Sequence, residues 1–102
     1  MPAVEVSAQV LEFVQALAPE PRRRLRIAIR GLAANRGNLR DLDGPLHGYS
    51  RLRAGPYRML LARGASADGC PTIFCIFAER RDVVYAVFSD MLRRQLLGDE
   101  EN

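Results

Sequence analysis

The stretch Tyr49–Arg58, YSRLRAGPYR, places three arginines and two tyrosines around one Ala-Gly-Pro turn. Side chains alternate between the two faces of a strand, so Leu52 should enter a core while Tyr49, Arg51 and Arg53 share the opposite face. Arginine binds phosphates through charged hydrogen bonds, and tyrosine stacks on bases. The stretch therefore predicts a β-hairpin that carries a basic, aromatic-bordered surface.

The charge of the chain is strongly polarised. Its fifteen basic residues are all arginine, and eleven of them lie between Arg22 and Arg63, where Asp41 and Asp43 are the only acids. That segment carries a net charge of +9 and the remainder −6, although the formal net charge is only +3. Such clustering predicts a polyanionic partner for one surface.

Length and composition indicate one domain over residues 1–102, because 48% hydrophobic residues suffice for a modest core. No apolar run approaches the roughly 20 residues that a membrane-spanning helix needs. The first residues, MPAVEVSAQV, have neither a basic start nor an apolar stretch typical of a signal peptide. We therefore expect a cytoplasmic protein without a membrane partner.

The two cysteines, Cys70 and Cys75, form a C-x4-C pair without a second pair. His47 is the only other soft ligand in the chain, so the spacing is poor for zinc. Cys75 lies within the run TIFCIF and is expected to be a small buried apolar residue. We expect neither a metal nor a cofactor.

The first half of the chain predicts one strand and two helices. Ala3–Val6 is expected to be a strand ending at Ser7, a favourable helix cap. Apolar residues then recur at helical spacing in 10–18, and again in 21–32 after Pro21 opens a second helix. Residues 35–48 are rich in turn formers and are expected to be irregular.

The second half changes to the period of strands, over 49–53, 57–63 and 72–78. After Arg81, apolar positions continue at helical spacing to Leu92, which favours a helix over the competing interpretation of a strand at Val83–Phe88. The predicted order is β-α-α-β-β-β-α. This is an α+β fold in which an antiparallel sheet carries the two N-terminal helices on one face, followed by a C-terminal helix.

Two segments, HGYSRLRAGPYRMLL (47–61) and IFCIFAERRDVVYAVF (73–88), resemble the RelE/ParE superfamily of small bacterial toxins from toxin-antitoxin modules. In that family the hairpin carries a run of tyrosine, a basic residue, leucine, arginine, glycine, tyrosine and arginine. The last strand leads into a basic pair followed shortly by a tyrosine. The resemblance spans Val4 to about Leu97 and implies the RelE/ParE-like fold.

The resemblance implies two targets for one scaffold: RelE-like members cut messenger RNA in the ribosomal decoding site, and ParE-like members poison DNA gyrase. RNA cleavage by attack of a 2′-OH on the adjacent phosphate requires a cationic cage and groups that move protons. For a RelE-like chain the implied catalytic residues are Arg58, Arg81 and Tyr85. The expected RNA- and phosphate-binding residues are Tyr49, Arg51, Arg53 and Arg80.

The chain departs from the RelE pattern because it contains no lysine beside its arginines. Arginine stays charged, so proton transfer would fall to Tyr85, Glu79, His47, or the substrate and water. Each residue also has a structural alternative. Arg58 could pair with Glu79 across the sheet, and Tyr85 could border the core.

The resemblance favours the toxin of a type II toxin-antitoxin system, an endoribonuclease that cleaves mRNA at the ribosome. The expected partners are a cognate antitoxin protein, mRNA and the ribosome, with a homodimer as a further assembly. One alternative is a ParE-like DNA gyrase inhibitor without catalysis. The other is a diverged non-toxic member that only binds an antitoxin-like partner.

Overall fold

The computed structural model of the chain describes the backbone of residues 2–101 and the side chains of residues 2–97. Five strands and three α-helices follow one another along it. Their order is β1 (Ala3–Val6), α1 (Ala8–Ala16), α2 (Pro19–Ala33), β2 (Asn38–Asp41), a 3-10 turn (Gly44–Leu46), β3 (Tyr49–Ala54), β4 (Tyr57–Ala65), β5 (Pro71–Arg80) and α3 (Val84–Glu101). No helix of the described chain is long and apolar enough to cross a membrane.

The five strands form one sheet in the order β1-β5-β4-β3-β2. The predicted α+β class is confirmed, with two differences in the sheet. The sheet is mixed because β1 pairs parallel to β5, whereas all other neighbours pair antiparallel. Alternation of side chains is the same in either direction, so the sequence of a four-residue edge strand does not fix its orientation.

The second difference is β2, which lies within the segment that was expected to be irregular. Its Leu39 pairs with Leu52 of β3 and packs against the core. Only one of its four residues is apolar, and turn-forming residues surround it, so the period-two signal is too short to read. The prediction of an irregular 35–48 is therefore wrong for residues 38–41.

Helices α1 and α2 cover one face of the sheet, as predicted. The Ser7 hydroxyl accepts a hydrogen bond from the Val10 amide at 3.2 Å and so caps α1. Helix α2 begins at Pro19, the first helical position, where the missing N–H costs no hydrogen bond. The buried core on this side consists of Val10, Val14, Leu25, Leu32, Leu52, Met59, Leu61, Ile73, Cys75 and Ala78.

Helix α3 packs on the other face, and the competing interpretation of a strand there is excluded. Its Val84 and Phe88 form a second core with Leu46, Leu60 and Phe77. A register shift between Leu60 and Leu61 leaves one extra residue on β5. The two cores therefore lie on opposite sides of the same central strands, which explains why β4 and β5 are apolar on both faces.

Candidate functional site

Three arginines share one face of the β3–β4 hairpin. Arg53 pairs with Arg58 across the ladder, and Arg51 pairs with Leu60, a residue of the α3-side core. Leu52 and Met59 alternate with them and are 0% exposed in the opposite core. The arginines therefore lie on the α3 side of the sheet, toward the end of the hairpin.

The hairpin turn holds Arg81 beside this face. The turn needs only Gly55 and Pro56, and Gly55 takes a positive φ of 61°, which costs glycine little. The backbone N–H of Arg81 donates to the Pro56 carbonyl at 2.9 Å. A pocket of about 490 Å³ opens here, lined by Arg53, Gly55, Pro56, Arg80, Arg81 and Asp82.

The Arg58 side chain folds back toward the same turn. Its Nη1 donates to the carbonyl oxygens of Gly55 and Tyr57, both at 2.8 Å. These two hydrogen bonds fix the direction of a long, otherwise mobile side chain. Arg58 and Arg81 are thus both attached to one two-residue turn, although 23 positions separate them in the sequence.

Arg58 lies in a strongly positive environment. Partial burial is the main cause that lowers the pKa of its guanidinium, and the charges of Arg53 and Arg51 lower it further. The Tyr85 phenol raises the pKa of Arg58, and the charge of Arg81 lowers it by a smaller amount. These effects require proximity, so Arg58 has three other arginines and the Tyr85 phenol as near neighbours.

No carboxylate neutralises this group at close range. Glu79 is the cross-strand partner of Arg58, but its Oε1 accepts a hydrogen bond from the Arg80 amide at 3.0 Å. Among side chains 2–97 the ion pairs are elsewhere, Arg24 with Glu20 and Arg94 with Asp90. The alternative interpretation, in which Arg58 forms an ion pair with Glu79, is therefore wrong.

The rings of both hairpin tyrosines pack against phenylalanine side chains of the helices. Tyr49 lies on the arginine side, where its ring meets Phe88 of α3 edge-on at a centroid distance of 5.2 Å. Tyr57 alternates with Arg58 and faces the other way, where it meets Phe13 of α1 at 5.7 Å. The surface is therefore less aromatic than the sequence suggested, and an RNA contact by Tyr49 stays a prediction.

Arg80 and His47 do not share the position of Arg58 on the α3 side of the hairpin end. Arg80 pairs with Tyr57, so by strand alternation it starts from the face of the sheet opposite to Arg58. Its exposed side chain nevertheless lines the pocket at the end of β5. His47 lines a different pocket, with Asp41, at the Tyr49 end of β3. The six residues of β3 separate His47 from the hairpin turn, so His47 is too far from Arg58 to carry a proton there.

Two residues of the same face were missed because β2 was missed. Asn38 pairs with Arg53 and Arg40 with Arg51, so both lie on the arginine side. The Arg51 Nη1 approaches the carbonyl and the Oδ1 of Asn38 at 3.3 and 3.4 Å. The available signal was Leu39, a single apolar residue between two polar ones.

The arrangement is suited to an anion rather than to a metal ion. Among the described residues, no three His, Cys, Asp or Glu side chains are grouped as metal ligands would be. Three arginines line the pocket and present many N–H donors to phosphate oxygens, and guanidinium binds phosphate through paired hydrogen bonds. The chemistry that the pocket supports is binding and charge stabilisation of a phosphate.

No family model matches the chain, and no curated protein sequence matches it significantly. Several solved structures do match its fold. A YoeB/ParE toxin from Agrobacterium tumefaciens aligns with a TM-score of 0.62 and 16% identity, covering 78% of this chain and 98% of that one. A chain of the RelBE2 toxin-antitoxin complex from Mycobacterium tuberculosis aligns with a TM-score of 0.61 and 18% identity, covering 78% and 91%.

A third match is a chain of the RelB-RelE antitoxin-toxin complex from Methanococcus jannaschii. Its TM-score is 0.59 at 19% identity, and the alignment covers 82% of this chain and 98% of that one. At such identities the likeness concerns the fold. The chain has the fold of the RelE/ParE-like toxins of toxin-antitoxin modules, as the sequence predicted.

Proposed function

We propose that the chain is the toxin of a toxin-antitoxin pair and a RelE-like endoribonuclease that cleaves mRNA at the ribosome. The observation that carries this proposal is the position of Arg58. Its guanidinium is fixed by the hairpin turn and has Arg51, Arg53, Arg81 and Tyr85 as neighbours. A surface that only binds protein does not require an arginine held among several other positive charges.

The reaction would begin with attack of an RNA 2′-oxygen on the adjacent phosphorus. The new O2′–P bond forms while the P–O5′ bond breaks, which leaves a cyclic phosphate and a 5′-hydroxyl. Negative charge builds on the phosphoryl oxygens in the transition state. Arg58, with Arg81 beside it, would stabilise that charge, and each fixed donor of this kind is worth on the order of 10²-fold in rate.

One proton must leave the 2′-hydroxyl and one must reach the departing 5′-oxygen. Tyr85 and Glu79 are the two titratable non-arginine side chains placed beside Arg58, by charge interaction and by strand pairing respectively. We propose Glu79 as acceptor of the first proton and Tyr85 as donor of the second. Arg58 itself stays protonated, since an arginine pKa remains far above neutral pH.

We propose Arg51 and Arg53 as the residues that hold the phosphates on either side of the cleaved bond, with Arg80 at the rim. The partner implied by the fold is an antitoxin, because two of the matching structures are toxin-antitoxin complexes. Antitoxin binding would keep the toxin inactive until the antitoxin is removed.

The test is controlled expression of the chain, followed by mapping of RNA ends across the transcriptome. We expect growth arrest with new ends inside translated regions. Arg58→Ala should abolish the new ends. The matched control is Arg93→Ala, which removes one arginine from the exposed side of α3 away from the pocket.

The other outcomes identify the alternatives. Intact transcripts together with gyrase-linked DNA breaks would show a ParE-like gyrase inhibitor. Growth without arrest, under conditions where the folded chain accumulates, would show a diverged non-toxic member. Either result would refute the endoribonuclease proposal.

A further inference from the structure

Helix α2 carries a second cluster of arginines, which we call the α2 arginine face. It borders a shallow pocket of about 310 Å³ lined by Pro19, Arg22, Arg23, Arg26, Ile27 and Arg30. Arg22, Arg26 and Arg30 are spaced four residues apart, which places one guanidinium about every 6 Å along the helix. The face is therefore a row of positive charges about 12 Å long.

Three of these arginines, Arg23, Arg26 and Arg30, are exposed, whereas Arg22 on the flank of the helix is half-buried. Helix α2 buries Leu25 and Leu32, and Ala28 and Ile29 pack beside them. Arg23 and Arg30 lie on the opposite side of the helix at 100° per residue, and both are exposed. Packing of the fold therefore does not explain why this side is basic.

Neighbouring acids do not explain it either. Within side chains 2–97, the only ion pair of α2 joins Arg24 to Glu20, and neither residue lines the pocket. Arg22, Arg26 and Arg30 also repel one another, because like charges four residues apart lie side by side on a helix. An anion bound along the row would relieve this repulsion.

The α2 arginine face is separate from the candidate site. Helix α2 packs on the sheet side that holds Leu52 and Met59, whereas Arg53 and Arg58 lie on the other side. A single strand of RNA in the pocket beside Arg81 cannot lie along α2 at the same time without crossing the sheet edge. The two basic surfaces are thus suited to two different pieces of polyanion.

We propose that the α2 arginine face binds the phosphate backbone of double-stranded RNA, independently of base sequence. The choice of RNA rests on the proposed function, but the binding itself requires no cleavage. The chain would hold a structured RNA on one side while the pocket on the other side receives a single strand.

The composition of the face favours nucleic acid over an acidic protein. Protein interfaces contain an apolar core, and this face offers only Ile27, 56% exposed, and Pro19 among its lining residues. Guanidinium groups at regular spacing match the regular charges of a duplex backbone, which they bind through paired hydrogen bonds. Phosphates are therefore the better complement.

The test measures binding of a 16-base-pair RNA duplex to the intact chain between about 0.05 and 0.2 M salt. The variant Arg26→Gln with Arg30→Gln removes two charges from the face. Its matched control, Arg93→Gln with Arg94→Gln, removes two charges from α3. We expect the first to lose about tenfold in affinity and to lower the log–log salt slope by about 2, because each lost phosphate contact removes about one unit.

Two further measurements make the test specific. Arg26→Lys with Arg30→Lys keeps the charges and should retain most of the salt slope. Arg53→Gln should weaken binding of a short single-stranded RNA but leave duplex binding unchanged, whereas the Arg26 and Arg30 variant should do the reverse. Glutamine is a good helix former and removes like-charge repulsion, so the glutamine variants should melt at or slightly above the temperature of the parent chain.

Equal duplex affinities for the Arg26/Arg30 variant and its α3 control would overturn the proposal. Competition by poly-glutamate as strong as by RNA at equal charge would overturn it in favour of an acidic protein partner. Absence of RNA cleavage in cells, with duplex binding retained and dependent on Arg26 and Arg30, would refute the proposed function but support the α2 face.

Discussion

Arg53 of β3 and Arg58 of β4 are direct cross-strand partners on the α3 side of the sheet. Like charges directly opposite each other destabilise a sheet. This repulsion occurs beside the hairpin turn, which also holds Arg81 through a hydrogen bond of 2.9 Å from its backbone N–H to the Pro56 carbonyl. A phosphate placed among these residues would convert the repulsion into attraction, which links a local instability to the proposed function.

The first prediction follows from that repulsion. Replacing one arginine by a neutral residue, as in Arg53→Gln, should raise the free energy of unfolding by about 0.2–1 kcal/mol, because the unfavourable cross-strand pair is removed. The same variant should cleave RNA more slowly. Urea denaturation at low salt measures the stability, and Arg63→Gln, an exposed arginine outside the candidate pocket, is the control. A loss of stability in Arg53→Gln would contradict the repulsive pair.

The second prediction separates catalysis from packing at Tyr85. Tyr85 is partly buried at the edge of the α3-side core, and its phenol raises the pKa of the Arg58 guanidinium. Tyr85→Phe keeps the ring and removes the hydroxyl, so cleavage should slow by about 10²-fold or more while the free energy of unfolding stays nearly unchanged. Single-turnover cleavage of a defined RNA measures the rate.

Tyr57→Phe is the control for Tyr85, because Tyr57 lies on the other side of the sheet against Phe13. It should leave the cleavage rate unchanged. If Tyr85→Phe cleaves at the parental rate, the phenol has no part in proton transfer and Tyr85 only borders the core.

Local patterns in the sequence were sufficient for much of this architecture. Alternation around Leu52 predicted which side of β3 holds Arg51 and Arg53, because a strand has a period of two wherever one face is buried. The helical spacing after Arg81 likewise favoured a helix over a strand, and α3 confirms it. These signals lie within a few residues of one another, and so they can be read directly.

The remaining features depend on contacts between distant residues. Phe88 packs against the ring of Tyr49, although the two residues are 39 positions apart in the sequence. No local pattern indicates that contact. The approach of Arg81 to the hairpin depends on one backbone hydrogen bond to Pro56. Strand β2 is formed by pairing with β3 rather than by its own propensity. Tertiary structure decides such features, and it was this part of the site that sequence reasoning missed.

The third prediction concerns the attachment of α1 to the sheet. The Gln9 side chain donates to the Ala78 carbonyl and accepts from the Ala78 amide, both at 2.8 Å. Ala78 is 0% exposed, so Gln9→Ala would leave a buried donor and acceptor without partners. The free energy of unfolding should fall by about 1–3 kcal/mol. Gln15→Ala, at an exposed position of the same helix, should change it little, and equal effects of the two variants would show that Gln9 is not a structural anchor.

The last prediction uses the two cysteines as probes of the folded state. Cys75 is 1% exposed, and burial raises the pKa of its thiol from 9.0 to about 11, whereas Cys70 is exposed. At pH 8 only about one Cys75 in a thousand would be a thiolate. A maleimide reagent should therefore modify one thiol per folded chain rapidly and the second only after denaturation.

The raised pKa of Cys75 also predicts a pH dependence of stability. Because the folded-state pKa is above the unfolded value, its contribution is fully present below pH 9 and is lost as the pH rises toward about 11. Cys75→Ala should flatten the fall in the free energy of unfolding over that range, whereas Cys70→Ser should leave it unchanged. Subtraction from the parent curve removes the other groups that titrate there. Rapid labelling of two thiols in the folded chain, or identical pH curves for the parent and Cys75→Ala, would show that Cys75 is not enclosed between β5 and the α1–α2 layer.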